Sequence, residues 1–325
     1  MDEIGGDPGA HLASGGWLSL LDQADQLIAR AGQKYPLLGQ LLARFPLTAR
    51  GLLLALLGLV LLLALPPLIG WLLRRCGRLE ANFRGERIPQ SYGLVILLWA
   101  GTMLTLAAAL FPADRREILT WLIAVVGFGT LGFVDDTWGD RCIKGLRGHF
   151  RAALRGRTFT TGFLKAVGGA LLALGLGFRC YPVNPALALL AAALIALSAN
   201  VINLLDLRPG RAGAVFLLGA ALLLAYSFRT GAHAGVPPLL YVALPTLLVY
   251  ERDARARVMM GDVGSNLLGA CLGLALAASP ASPWTKLIAL LGLVGLHLLA
   301  ERASLTALIE KNPTLRALDR LTGVR

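Results

Sequence analysis
Between residues 51 and 300 the chain returns repeatedly to apolar stretches of roughly 17 to 25 residues, of which "GLLLALLGLVLLLALPPLIGWLL" is the first. A hydrocarbon layer about 30 Å thick demands that length of a helix, because a helix satisfies every backbone hydrogen bond within one segment. A soluble globule is thereby excluded; 56% hydrophobic residues, 15% charged residues and a mean hydropathy of +0.66 agree. One membrane domain follows, although the 325 residues would also suffice for several soluble ones.

The pattern predicts an all-α, polytopic membrane protein of about nine transmembrane helices, near residues 51–73, 93–111, 118–134, 162–178, 185–203, 213–228, 236–250, 265–279 and 284–300. The span at 236–250 is short and opens on Pro237 and Pro238. Residues 1–16 are acidic and Gly-rich, without the basic start of a signal peptide, and read as disordered. After them Leu20, Leu21, Ala24, Leu27, Ile28 and Ala31 recur at helical spacing opposite Asp22, Asp25 and Arg30. Leu37, Leu38, Leu41, Leu42 and Phe45 repeat the pattern, which suggests two short helices lying in the membrane interface. The organisation expected is therefore residues 1–50 as a disordered and interfacial segment, 51–300 as the transmembrane domain and 301–325 as a cytoplasmic amphipathic tail. Cys76, Cys142, Cys180 and Cys271 are scattered without a CxxC pair, which indicates neither a zinc site nor a disulfide framework.

The formal charge of +12 is distributed unevenly. With alternate loops assigned to one side, that side receives Arg74, Arg75, Arg78, Arg84 and Arg87, then six basic residues from Arg141 to Arg157, then Arg208, Arg211, Arg252, Arg255, Arg257 and the tail. The other side keeps Arg115, Arg116, Arg179, Arg229, Lys286 and the N-terminal segment. The positive-inside rule makes the first side cytoplasmic. No basic patch interleaved with aromatics stands apart from the membrane, so nucleic acid is not an expected partner.

The boundary carboxylates fall on that same face: Asp135 and Asp136 in "GFVDDTWGD", Asp206 in "SANVINLLDLRPGRAG" and Asp262 in "RVMMGDVGSNLLG". A single Asp at a helix end is most simply a cap. Several on one face point to function, because ionisable groups at a membrane are costly to desolvate. Adjacent carboxylates stay ionised together only if a cation holds them. Oxygen donors of this kind suit Mg²⁺, with Mn²⁺ as the alternative, completed by water and substrate phosphates; no His cluster supports zinc. The surrounding arginines suit a phosphorylated substrate.

"GFVDDTWGD", "NVINLLDLRPGRA" and "MMGDVGSNLLG", in this order, resemble the signature segments of the polyprenyl-phosphate N-acetylhexosamine-1-phosphate transferases, a superfamily that includes phospho-MurNAc-pentapeptide translocase and the GlcNAc-1-phosphate transferases. The likeness runs from about residue 50 to residue 300. It implies transfer of a sugar-1-phosphate from a UDP-sugar to undecaprenyl or another polyprenyl phosphate, with release of UMP, in cell-envelope glycan synthesis such as that of peptidoglycan. By the same resemblance Asp135, Asp136 and Asp206 are catalytic, while Asn200, Asn203 and Arg151 bind substrate; Lys165, near the start of the fourth helix, is a substrate-binding candidate by its position alone. Asp262, Asn203 and Asp136 would hold Mg²⁺. Pro89 and Gly93 resemble the family's first cytoplasmic loop. A cytoplasmic active site in the inner or plasma membrane and a homodimer are further expectations.

The chain departs from that pattern in two places. Leu207 and Pro209 replace the family's Gly and second acidic residue after the Asp206 position, and the His-rich last loop is missing. His297 reads as a packed helix residue, and Glu301 and Arg302 either as the better substrate contacts or as intrahelical or lipid-headgroup partners. Lys165 is placed either to reach a substrate or to snorkel to headgroups. Two other functional classes fit the sequence less well: a degenerate relative acting as a membrane scaffold or lipid-binding partner, and a transporter, which would need polar residues along mid-membrane helix faces.

Overall fold
The computed structural model describes residues 16–35, 48–139, 161–231 and 236–324. Expectations for residues 1–15, for the second amphipathic segment near residues 37–45 and for Arg151 fall outside the described residues. The chain divides into two compact units, Met1–Leu61 and Leu62–Arg325.

In the first unit, helix α1 spans Gly16–Lys34 and contains the expected amphipathic repeat. Asp25 accepts a hydrogen bond from the Ala49 backbone N–H at 2.5 Å, and Asp22 pairs with Arg50. Two N-terminal carboxylates thus anchor the first turn of helix α2, Ala49–Arg75, favourably placed at a helix N-terminus.

Among the described residues, the regular structure of the second unit is helical apart from one short hairpin, β1 (Leu79–Ala81) and β2 (Arg87–Pro89). After it come α3 (Leu94–Leu110), α4 (Arg115–Trp138), α5 (Thr161–Cys180), α6 (Pro185–Leu205) and α7 (Arg211–Thr230). They are followed by α8 (Val236–Ala254), α9 (Gly261–Ala278), α10 (Pro283–Arg302) and the short tail helices α11 (Leu305–Lys311) and α12 (Pro313–Thr322).

Among the described residues seven helices are long and apolar enough to cross a membrane, which corrects the expected count of about nine. Helix α3 is apolar but only 17 residues long, and α8 brings Glu251, Arg252 and Asp253 into its last turn. The result is an all-α, multi-pass membrane fold.

Helix α9 sits at the centre of this unit, packed against α4 and α6, and much of its length is buried. Glycines permit the close approach. A Cβ at Gly132 of α4 would lie 2.7 Å from the Val263 Cα, and one at Gly273 would lie 2.7 Å from the Ile195 Cα. The hairpin then fixes where α9 begins. Asn82 closes its turn by accepting the Arg84 and Glu86 N–H groups at 2.9 and 3.0 Å, beside Gly85 in the left-handed region. The strand end is strapped to the segment before α9 by Met259 N–H to Pro89 O (2.8 Å), Tyr92 N–H to Met259 O (2.9 Å) and Gly93 N–H to Met260 O (2.9 Å).

Candidate active site
The C-terminal ends of α4 and α6 meet the N-terminal ends of α5 and α9, and this junction collects most of the residues singled out above. Helix α4 runs four residues beyond its expected end at 134, so Asp135 and Asp136 lie within its final turn. Helix α9 starts at Gly261 rather than near 265, which brings Asp262 into its first turn.

Successive residues on a helix point about 100° apart, so the two aspartates diverge. The Asp136 carboxylate accepts the Asp262 N–H on Oδ1 at 3.0 Å and the Val263 N–H on Oδ2 at 3.3 Å. It caps the N-terminus of α9 from another helix, satisfying two donors that an α-helix leaves open. Asp135 faces the other way. Its Oδ2 lies 2.5 Å from Lys165 Nζ, and the same ammonium pairs with Asp262 Oδ2. Three residues distant in sequence thus form one carboxylate–ammonium–carboxylate bridge.

Asn203 Oδ1 accepts the Ser265 hydroxyl at 2.9 Å, and Asn266 Nδ2 donates to the Asp262 carbonyl at 2.7 Å. Asn200, one turn before Asn203, has its Nδ2 2.7 Å from His297 Nε2. Asp206 closes α6 as its C-terminal cap. Burial, and then the neighbouring carboxylates Asp253, Asp262 and Asp136, push the Asp206 carboxyl well above the usual carboxylate range.

Beside this cluster lies a cavity of about 680 Å³. Asp135, Lys165, Asn200, Asn203, Asn266, His297 and Glu301 line its polar part, while Phe128, Leu131, Gly169, Ala170 and Ala196 are among the residues of its apolar wall. Phe128 lies two turns before Asp135 on α4, so the apolar wall reaches about 10 Å along the helix from the carboxylates.

Residues 118–279 match the family model for glycosyl transferase family 4. The matched span is just under half of the chain and includes Asp135, Asp136, Lys165, Asn200, Asn203, Asp206 and Asp262. The hairpin, His297 and the tail lie beyond the family 4 match. The chain is also similar to the phospho-N-acetylmuramoyl-pentapeptide-transferase of Wolbachia pipientis wMel, at 25% identity over 215 residues, covering 62% of this chain and 63% of that protein. The protein of the same name from Wolbachia sp. subsp. Drosophila simulans (strain wRi) gives the same identity and coverage. The chain thus spans 63% of the length of the curated relatives it matches.

Among the described residues no three His, Cys, Asp or Glu side chains form a group that could hold a metal ion. The donor chemistry is nevertheless suited to a hard divalent ion retained by two carboxylates, since Asp135 and Asp262 already converge on one positive charge. Asp136 and Asn203 differ from that pair, because their oxygens accept hydrogen bonds from α9.

The segment after Asp206, where the sequence departs from the family pattern, is clasped by the tail. Arg211 makes a bidentate, buried pair with Asp319 at 2.8 and 3.1 Å and donates to Thr306 at 3.3 Å. Arg208 pairs with Glu310 at 3.1 Å, and Val324 N–H donates to the Ala254 carbonyl at 2.8 Å. Buried Asp253 accepts the Gly210 N–H at 2.8 Å and the Met260 N–H at 3.2 Å, tying this loop to the start of α9.

Sequence reasoning missed the Asn200–His297 contact, the tail clasp and the hairpin strap. It left Lys165 undecided. A lone ammonium one turn into an apolar helix was the available signal for Lys165, and a histidine one turn before Glu301 was the signal for His297. The strap carries no side-chain signature, because its bonds are between backbone groups.

Proposed function
We propose that the protein transfers a sugar-1-phosphate, most simply N-acetylhexosamine-1-phosphate, from a UDP-sugar to a polyprenyl phosphate and releases UMP. The observation that carries this reading is the Asp135–Lys165–Asp262 bridge, of which Asp135 and Lys165 line a cavity whose remaining wall is largely apolar. Such a cavity suits an amphiphile: isoprenoid against Phe128, Leu131 and Ala170, phosphate beside Lys165. The family 4 match and the relatives' similarity support the same reading.

In the reaction proposed, an oxygen of the lipid phosphate forms a bond to the β-phosphorus of the UDP-sugar. The bond from that phosphorus to the bridging oxygen breaks, and UMP leaves with the electron pair. A phosphate monoester has a second pKa of about 6, so the attacking oxygen is largely ionised at neutral pH and requires little base assistance. Juxtaposing two anions is the harder task. Lys165 supplies one fixed positive charge, and Asp135 and Asp262 would hold Mg²⁺ or Mn²⁺. Such an ion would neutralise charge on the phosphates when bound. Asp136 keeps Asp262 in place by capping α9, while Asn200 and Asn203 offer amides to the uncharged parts of the donor. Arg151 is assigned to the diphosphate by resemblance alone. The basic loops on the side of Asp135 favour a site on the cytoplasmic face of the plasma membrane.

The test is UMP release by the purified protein in detergent, given undecaprenyl phosphate, Mg²⁺ and a panel of UDP-sugars. Release with one donor, lost on chelation and in Asp262→Asn, is expected. Absence of release with every donor, from folded protein, would overturn the transferase reading in favour of a scaffold or lipid-binding role.

A further inference from the structure
We propose that His297 is a positioning residue that fixes the Asn200 amide and thereby sets how the cavity grips the uncharged, hydroxyl- or amide-bearing part of its substrate. The substrate class rests on the transferase reading above, whereas the pairing of the two side chains does not.

His297 Nδ1 lies 2.8 Å from the Leu293 carbonyl oxygen, one turn earlier on α10. A carbonyl can only accept, so Nδ1 carries the ring proton. In the neutral ring Nε2 is then an acceptor, and at 2.7 Å it accepts a hydrogen bond from the Asn200 amino group. The amide is held by its amino end, and its oxygen is not consumed by the imidazole. Both residues line the 680 Å³ cavity with Lys165 and Asp135.

Packing alone does not account for a histidine here. Most residues of α10 are exposed, Leu287, Leu291, Leu296, Leu298 and Leu299 among them, as on a lipid-facing helix, and it packs chiefly on α6. A polar ring on such a helix is unfavourable unless it is paired, and this one is paired at both nitrogens. The chain thus joins an outer helix to one cavity amide across 97 residues. An amide acceptor oxygen repels phosphate and favours an O–H or N–H donor, which in a nucleotide-sugar means the sugar hydroxyls, an acetamido group or the base.

The experiment compares His297→Leu and His297→Gln in UMP release, with the KM for the UDP-sugar and for the lipid phosphate measured separately, and follows the histidine ring nitrogens by ¹⁵N NMR. Glutamine can place an acceptor near the position of Nε2; leucine cannot. In His297→Leu the KM for the UDP-sugar should rise about tenfold, as loss of one hydrogen bond implies, while that for the lipid phosphate stays within about twofold. His297→Gln should remain within about threefold of the natural protein. Equal damage by Gln and Leu, parallel changes in both KM values, or no change in the Leu variant would overturn the proposal. If no donor supports turnover, the transferase reading fails and NMR still decides the pairing. A proton on Nδ1, with an Nε2 resonance that moves in Asn200→Ala, is expected. A ring protonated on Nε2 would refute it whatever the activity.

Discussion

Gly132 is where a single methyl group should separate stability from function. A Cβ placed there lies 2.7 Å from the Val263 Cα and 2.5 Å from the Asp262 carbonyl carbon. Carbon atoms rest about 3.5 to 4.0 Å apart, so in Gly132→Ala helices α4 and α9 must part by about 1 Å. Overpacking of this kind costs about 1 to 3 kcal/mol. Alanine recovers about 0.5 to 1 kcal/mol through its better helix propensity, leaving a net loss of at most about 2.5 kcal/mol. Function should suffer more. The displaced backbone carries Asp262 itself and the two N–H groups that Asp136 caps at 3.0 and 3.3 Å. A misplacement of about 1 Å in a reacting constellation costs on the order of 10²-fold in rate. The assay pairs UMP release with thermal unfolding in detergent, using Gly175→Ala as the control because nothing lies within 4 Å of a Cβ there. A small drop in melting temperature with a large loss of turnover is expected for Gly132→Ala and neither for the control. Turnover within about threefold of the natural protein would refute the claim that this contact sets the position of Asp262.

Three further perturbations test separate parts of the site. Lys165→Met leaves Asp135 and Asp262 facing each other without their ammonium, so turnover should fall at least about tenfold and added Mg²⁺ should raise the melting temperature more than in the natural protein; equal Mg²⁺ responses would count against the two carboxylates as the ion's ligands. Asp319→Ala strands a buried Arg211, a defect of about 3 to 5 kcal/mol that undocking of the tail can relieve, so trypsin should cut at Lys311 and Arg316 much faster than in the natural chain; an unchanged cleavage rate would show that the clasp does not hold the tail. Because burial and three carboxylates raise the Asp206 pKa, the folded chain binds a proton that the unfolded chain has released, and stability falls as pH rises from the ordinary carboxylate range of about 4 through the raised value. Asp206→Asn should flatten that fall in melting temperature as pH rises above the ordinary carboxylate range, and an identical slope would remove Asp206 as its source.

The apolar rhythm of the chain was enough to reveal an all-α membrane fold, because a helix in lipid must meet a length and a hydropathy that can be read directly. Its count erred where those criteria are marginal: at α3, with 17 residues, and at α8, where Glu251, Arg252 and Asp253 close the helix. Within the site, the residue types were legible and their partners were not. Asp135 and Asp136 are indistinguishable neighbours in sequence. What separates them is the start of α9, 126 residues on, whose N–H groups without intrahelical partners claim Asp136 and leave Asp135 to Lys165. The same holds for the segment after Asp206. Read alone, Leu207, Arg208, Pro209 and Arg211 are departures from a familiar pattern. In the fold, two of them are one half of a clasp whose other half, Glu310 and Asp319, lies in the tail. That clasp bears on the site through Asp253, which joins Gly210 to Met260 two residues before Asp262, so release of the tail should reach the carboxylate cluster through one buried side chain.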